Sequence, residues 1–173
     1  KVEQSEQRFQ NLVREAPVGI VVLAGENLTI SVVNDAYARL IGREAGELLH
    51  KDIFTIIPET ETSFRHFITQ ARTSGQPVYL YDQPYRVFAA GKTIEGFLNV
   101  VYQPYRETDG AITGVMVLCQ DVTQQVLSRK KIEEVQETAR LAVESAGLGT
   151  YDVDLRTDKL NASPRLDAIF DVS

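Results

Sequence analysis

The sequence predicts an α+β domain: a five-stranded antiparallel sheet with short helices on one face, flanked by N-terminal and C-terminal helices. Three observations lead there. Two short apolar strand patterns come first, at 18–23 and 29–33. Short helical patterns fill the stretch from Asp35 to about residue 73. Three further strand candidates, 78–85, 96–105 and 112–119, close the set.

Each element has a local reason. Residues 3–15 form an amphipathic helix with Phe9, Leu12 and Val13 on one side. Ala16-Pro17 ends it, because the residue before proline avoids the helical region. Glu26-Asn27 turns the chain between the first two strands. Asn34 stands at a helix N-cap, with Asp35 in the first turn where the helix dipole favours an anion. That helix carries Ala36, Tyr37, Leu40 and Ile41, and Gly42 fits the left-handed residue that closes it. Residues 44–57 hold one or two more short helices, and Pro58 breaks the run. Phe64, Phe67, Ile68 and Ala71 follow at i, i+3, i+4 and i+7, one stripe of a helix over about 62–73. Gly75-Gln76-Pro77 ends it. Asp109-Gly110 suits the tight turn before the last strand, since both residues tolerate positive φ. Asp121 or Thr123 caps the helix that starts at once after that strand.

Composition bounds the function. The chain has 173 residues, is 43% hydrophobic and carries a net charge of −6. The acid excess argues against a nucleic-acid surface, which needs a basic face. One cysteine leaves no internal disulfide and no cysteine-rich metal site, and two histidines exclude a multi-histidine one. No apolar run approaches the 18 residues of a membrane span, and no signal peptide is visible. The chain starts at Lys1 and ends within a pattern, and it reads as a piece of a longer protein.

Ala16-Pro17-Val18-Gly19-Ile20, Val33-Asn34-Asp35-Ala36-Tyr37, Leu40-Ile41-Gly42, Gln103-Pro104-Tyr105-Arg106, Asp109-Gly110, Gly114-Val115 and Asp121-Val122-Thr123 follow one another in a meaningful order. No single one is specific. As an ordered set over residues 9–123 they resemble the PAS family, and in particular the PAS sensor modules of bacterial multi-domain sensor histidine kinases. Residues 140–171 resemble the first third of another PAS domain. In it Gly149-Thr150-Tyr151-Asp152 opens the first strand, 159–162 forms the second, and Ser163-Pro164 caps a helix. The expected organisation is therefore 1–16 N-terminal helix, 17–123 PAS sensor domain, 124–146 signalling helix and 147–173 truncated start of a second PAS domain. In the signalling helix Ile132, Val135, Ala139, Ala142 and Ala146 step by 3, 4, 3 and 4, a short heptad seam.

Candidate chemistry is mostly negative. No nucleophile constellation, paired-carboxylate site or phosphate loop is evident. His66 lies on the helix where haem-binding PAS proteins place an axial histidine, but the helical wheel turns it away from the buried stripe. His50 falls near a turn at the surface. The flavin-linked Asn-Cys-Arg motif of light-sensing LOV relatives is absent. Cys119 takes the strand position where those relatives keep a flavin-contacting glutamine, which makes it a pocket-wall residue by resemblance. By period 2, Leu98, Val100 and Tyr102 share one strand face, and Val115, Val117 and Cys119 share another. The resemblance points both faces toward the pocket. The opposite faces carry Phe97, Val101, Met116 and Leu118, too apolar to stay wet. The N-terminal helix, of the same chain or a partner's, is expected to cover them.

The resemblance implies a non-catalytic sensory and dimerisation module of a bacterial, cytoplasmic signalling protein, whose kinase catalysis lies outside this chain. Pocket-lining candidates are Tyr37, Ile41, Phe54, Phe67, Ile68, Leu98, Val100, Tyr102, Val115, Val117 and Cys119, with signal transfer through Asp121 and Thr123. No cofactor or metal is expected, and the sequence leaves any small ligand unidentified. The expected partner is a second copy, held through the flanking helices and the outer sheet face. No nucleic-acid or membrane contact is expected. The alternatives are a ligand-free dimerising spacer and a haem- or flavin-binding redox or light sensor.

Overall fold

The computed structural model describes residues 2–157, with side chains placed through residue 147. The chain divides into two units, Lys1–Thr123 and Gln124–Ser173. The first unit opens with helix α1 (Val2–Glu15), then strands β1 (Gly19–Ala24) and β2 (Thr29–Val33). Helices α2 (Asp35–Leu40), α3 (Ala45–Leu48) and α4 (Ile53–Ile56) follow. A 3-10 turn at Pro58–Thr60 feeds α5 (Glu61–Ser74), and strands β3 (Val78–Ala89), β4 (Lys92–Arg106) and β5 (Ile112–Asp121) complete the sheet. Pro58 thus starts the approach to α5, at a first-turn position where its missing N–H costs nothing.

The sheet is five-stranded and antiparallel, in the order β2-β1-β5-β4-β3. The first and last strands pair at its centre, Val21 opposite Val117 and Leu23 opposite Val115. The helical stretch therefore crosses from one edge, β2, to the other, β3. Along β4, Leu98, Val100 and Tyr102 are buried while Phe97, Val101 and Tyr105 are not, the alternation of a strand with one core face. The inner face meets Ile30, Tyr37, Ile41, Leu48, Ile53 and Ile68 in a single core.

Two expectations about strand ends and turns need correction. β3 and β4 run well past 85 and start well before 96, because Ala90 (φ 52°) and Gly91 (φ 74°) form a tight hairpin turn between them. The alternation continues through buried Tyr85, Val87 and Ala89, and Arg86 bonds Glu95 across the pair. Asp109-Gly110 does not form a two-residue turn. The loop spans Glu107 to Ala111, closed by Glu107 N–H to the Ala111 carbonyl at 2.8 Å, and the Asp109 carboxylate accepts from Ala111 N–H at 2.9 Å. Of the two covers expected for the α1 stripe, its own chain's sheet and a partner's, the first is not formed. Only Val13 is buried, while Phe9 and Leu12 are 47% and 72% exposed. The helix is tied down at its C-terminal end and stands clear of the sheet before it. The outer-face residues Phe97, Val101, Met116 and Leu118 are half-buried.

Helix α6 (Thr123–Thr157) starts on the last residue of the first unit, and from Gln124 it forms the described part of the second. It continues through 149–152, where a strand was expected. Adding a residue to an existing helix gains a hydrogen bond, whereas a lone strand has no partner for its backbone. The expected strand at 159–162 and cap at Ser163-Pro164 lie outside the described residues. On α6, Ile132, Val135, Leu141 and Val143 are each at least 50% exposed.

Candidate functional site

Asn34 builds one wall of the site. Its side chain is fully used: Oδ1 accepts from the backbone N–H groups of Tyr37 and Ile20, both at 2.9 Å. Nδ2 donates to the carbonyls of Val13 at 2.8 Å and Val18 at 2.9 Å. One buried amide therefore caps α2, fixes the start of β1 and holds the end of α1. The short helix so anchored turns Tyr37 and Ile41 inward.

Between those helices and the inner sheet face lies an apolar cavity of about 60 Å³. Tyr37, Ile41, Phe54, Ile68, Leu98, Val100, Tyr102, Val117 and Cys119 line it. Two residues expected in the lining stand outside it. Phe67 is half-buried and stacks beside Tyr102, ring centroids 6.1 Å apart. Val115 is packed solid in the core, opposite Leu23 on β1. The lining also takes in Leu23, Leu40, Ile53, Ile57, Thr60, Phe64, Tyr85 and Val87. The period-2 pattern past residue 85 was the signal for Val87.

No side chain charged at neutral pH lines the cavity. Its polar groups are hydroxyls and one thiol. The Thr60 hydroxyl donates to the Ile57 carbonyl at 2.8 Å. The hydroxyls of Tyr37 and Tyr102 have no hydrogen-bond partner among the described residues. Burial pushes both phenols far above their ordinary range, and the Cys119 thiol beside them adds to the rise. Burial also pushes Cys119 itself up to about 12. These groups stay protonated and neutral at physiological pH.

Tyr85 connects the cavity with the end of β5. It lines both the inner cavity and an open hollow of about 310 Å³, which also includes Arg39 and Asp121. Its phenol is raised by burial first, then by the nearby Asp121 carboxylate and Cys119. Behind the ring stands Gly96, Tyr85's partner across β3–β4. A Cβ on Gly96 would press on the Tyr85 ring at 3.2 Å and collide with the Thr123 hydroxyl. Thr123 Oγ1 accepts from Phe97 N–H at 3.0 Å and donates to Asp121 Oδ1. Asp121 Oδ1 also accepts from Thr123 N–H at 2.9 Å, so Asp121 rather than Thr123 serves the first turn of α6. Val122 N–H donates to the Phe97 carbonyl at 2.9 Å.

His66 and His50 are exposed, and His66 lies against the Phe67 ring. Among the described residues no cluster of metal-ligating side chains occurs, and no helix is long and apolar enough to cross a membrane.

No curated protein matches the chain. Solved structures share its fold at low identity. An RNA-binding Light-Oxygen-Voltage receptor superposes with a TM-score of 0.61 at 20% identity, over 82% of this chain and 39% of its own. The chain thus spans about two fifths of that receptor. A PAS domain from Colwellia psychrerythraea gives 0.56 at 14% identity, over 70% of this chain and 98% of its own. A sensory box sensor histidine kinase from Vibrio cholerae gives 0.52 at 17%, over 70% and 95%. The PAS-fold family model matches residues 7–122, the span that holds the sheet, the cavity and nearly all of the Asp121–Thr123 junction, and the chain belongs to the PAS-fold family.

Proposed function

We propose that this chain is a non-catalytic sensory and dimerisation module of a bacterial signal-transduction protein, coupling the apolar cavity to helix α6. The observation that carries this reading is the position of Tyr85. Tyr85 lines the cavity, and its ring and the Thr123 hydroxyl both stand against Gly96. A ligand or packing change that moves the ring bears on Thr123, the first residue of α6. Any such response requires different affinities for two arrangements of that junction.

A sensor histidine kinase is the parent this reading favours, on the strength of the ordered sequence set. The net charge of −6 favours a partner other than nucleic acid. A cavity of about 60 Å³ is far below the several hundred Å³ of sites that hold large ligands, which weighs against haem or flavin. The ligand-free spacer is the second reading, since so small a cavity also suits a packed core.

A double-mutant cycle tests the coupling. Tyr85→Ala, Thr123→Ala and the double variant are unfolded in urea. The proposal expects an interaction energy of about 0.5–3 kcal/mol between the two sites. Strict additivity would show that the cavity wall and the junction are independent, and would leave the spacer reading.

A further inference from the structure

The cavity's polar groups and its volume restrict what it can hold. Its wall is aliphatic and aromatic, with no group that could neutralise an ion. Burying an unpaired charge there is prohibitive. Yet the wall is not purely apolar. Tyr37 and Tyr102 are 7% and 3% exposed, both line the cavity, and neither hydroxyl has a partner among the described residues. A buried hydroxyl without a hydrogen bond is costly, and buried polar groups in folded proteins are nearly always satisfied. Something that enters the cavity is the natural partner.

Resting on the sensory reading above, we infer that the cavity takes an uncharged small molecule: a compact apolar ring or chain bearing one hydrogen-bonding oxygen or nitrogen, set between the hydroxyls of Tyr37 and Tyr102. The acceptor meets two donors that otherwise go unused. The hydrocarbon part meets Ile41, Val100 and Val117. An acid or an amine is rejected, because the phenols stay protonated and no counter-ion lines the wall. Size is limited too. About 60 Å³ is roughly the liquid volume of two waters and well under the roughly 150 Å³ cavity known to admit benzene. A five-membered ring therefore needs a modest outward shift of the half-buried Leu40, Phe54 and Phe64. That shift is a means by which occupancy changes the packing around the cavity.

The test uses the whole 173-residue chain and three probes of related shape: cyclopentanone, methylcyclopentane and cyclopentanecarboxylate. Binding is followed by amide NMR titration at pH 7, in the native protein and in Tyr37→Phe/Tyr102→Phe. Cyclopentanone is expected to shift the amides around Tyr37, Tyr102 and Val117, and to bind about three- to tenfold more weakly to the double variant. Methylcyclopentane should bind the two proteins alike, and the carboxylate should not bind. If the double variant binds cyclopentanone as well as the native protein does, the ligand class is wrong while the ligand-binding reading stands. If the carboxylate binds at the cavity, the class is likewise overturned. If none of the probes binds, with bridging waters on the two hydroxyls, the cavity is not a ligand site and both readings fall.

Discussion

Asn34 donates its side-chain amide to the carbonyl of Val13 at 2.8 Å, and through that bond the sheet holds the last turn of the N-terminal helix. The same side chain makes three other hydrogen bonds and is 2% exposed. It is the point where α1, the start of β1 and the start of α2 meet.

Replacing Asn34 by alanine should therefore cost more than a helix cap. The cap alone is worth about 1 kcal/mol. Each buried group left without a partner adds about 1–3 kcal/mol. Asn34→Ala is expected to lose about 3 kcal/mol or more by urea unfolding, and to free α1 for rapid amide exchange near Val13. A loss of about 1 kcal/mol would mean that water replaces the amide.

Gly96 is the second sensitive point. Its Cβ position is occupied by the Thr123 hydroxyl and closed by the Tyr85 ring. Gly96→Ala must displace one of them, an overpacking effect of about 1–3 kcal/mol. The Phe97 amide should lose its bond to Thr123 and exchange faster. Retention of native stability and exchange would show that the junction is looser than drawn.

Alkaline pH should destabilise the fold. Burial holds Cys119 near 12 against an ordinary value of 9.0, and Tyr37, Tyr102 and Tyr85 are raised from 10.0. The folded state keeps these protons while the unfolded chain loses them. Their stabilisation is therefore complete below about pH 9 and is lost as pH rises. Cys119 contributes up to about 1.4 kcal/mol per pH unit once the unfolded thiol is ionised, and the tyrosines join above pH 10. Urea melts from pH 8 to 10.5 should show the decline starting above pH 9. Cys119→Ala should remove the early part of the slope while leaving the later part.

Dimerisation is read from what this single chain leaves bare. Ile132 and Val135 on α6 are more than half exposed, and so is Leu12 on α1. Sedimentation should show a dimer at micromolar concentration, and Ile132→Glu/Val135→Glu should shift it toward monomer with the first unit still folded. A native chain that sediments as a monomer at high concentration would refute the assembly.

The fold was legible wherever a local rule and a tertiary need agreed. Asn34, Gly42 and Gly75 are in the conformations their caps and turns require, with φ of 68° and 70° at the two glycines. The inner faces of β4 and β5 followed from period 2. Failures came where one signal was read alone. Asp-Gly suggested a tight turn, but the Asp109 side chain bonds two residues on and opens a longer loop. Ala90-Gly91 was overlooked because alanine rarely turns left-handed. Val87 was missed with it, since a strand ended at residue 85 hides the inward residues beyond. The α1 stripe was visible, but sequence cannot say whether an apolar stripe meets its own chain or another.

The most direct test of the coupling is hydrogen exchange at the α6 junction when the cavity is filled from within. Val117→Leu adds a methylene to the cavity wall without touching Tyr85, Gly96 or Thr123 by substitution. The amides to follow are Phe97, which donates to Thr123, and Val122, which donates to Phe97. Filling the cavity is expected to change protection at both by severalfold, and the change to disappear when Tyr85→Ala is added. A filled cavity that leaves Phe97 and Val122 exchanging as in the native protein would contradict the coupling.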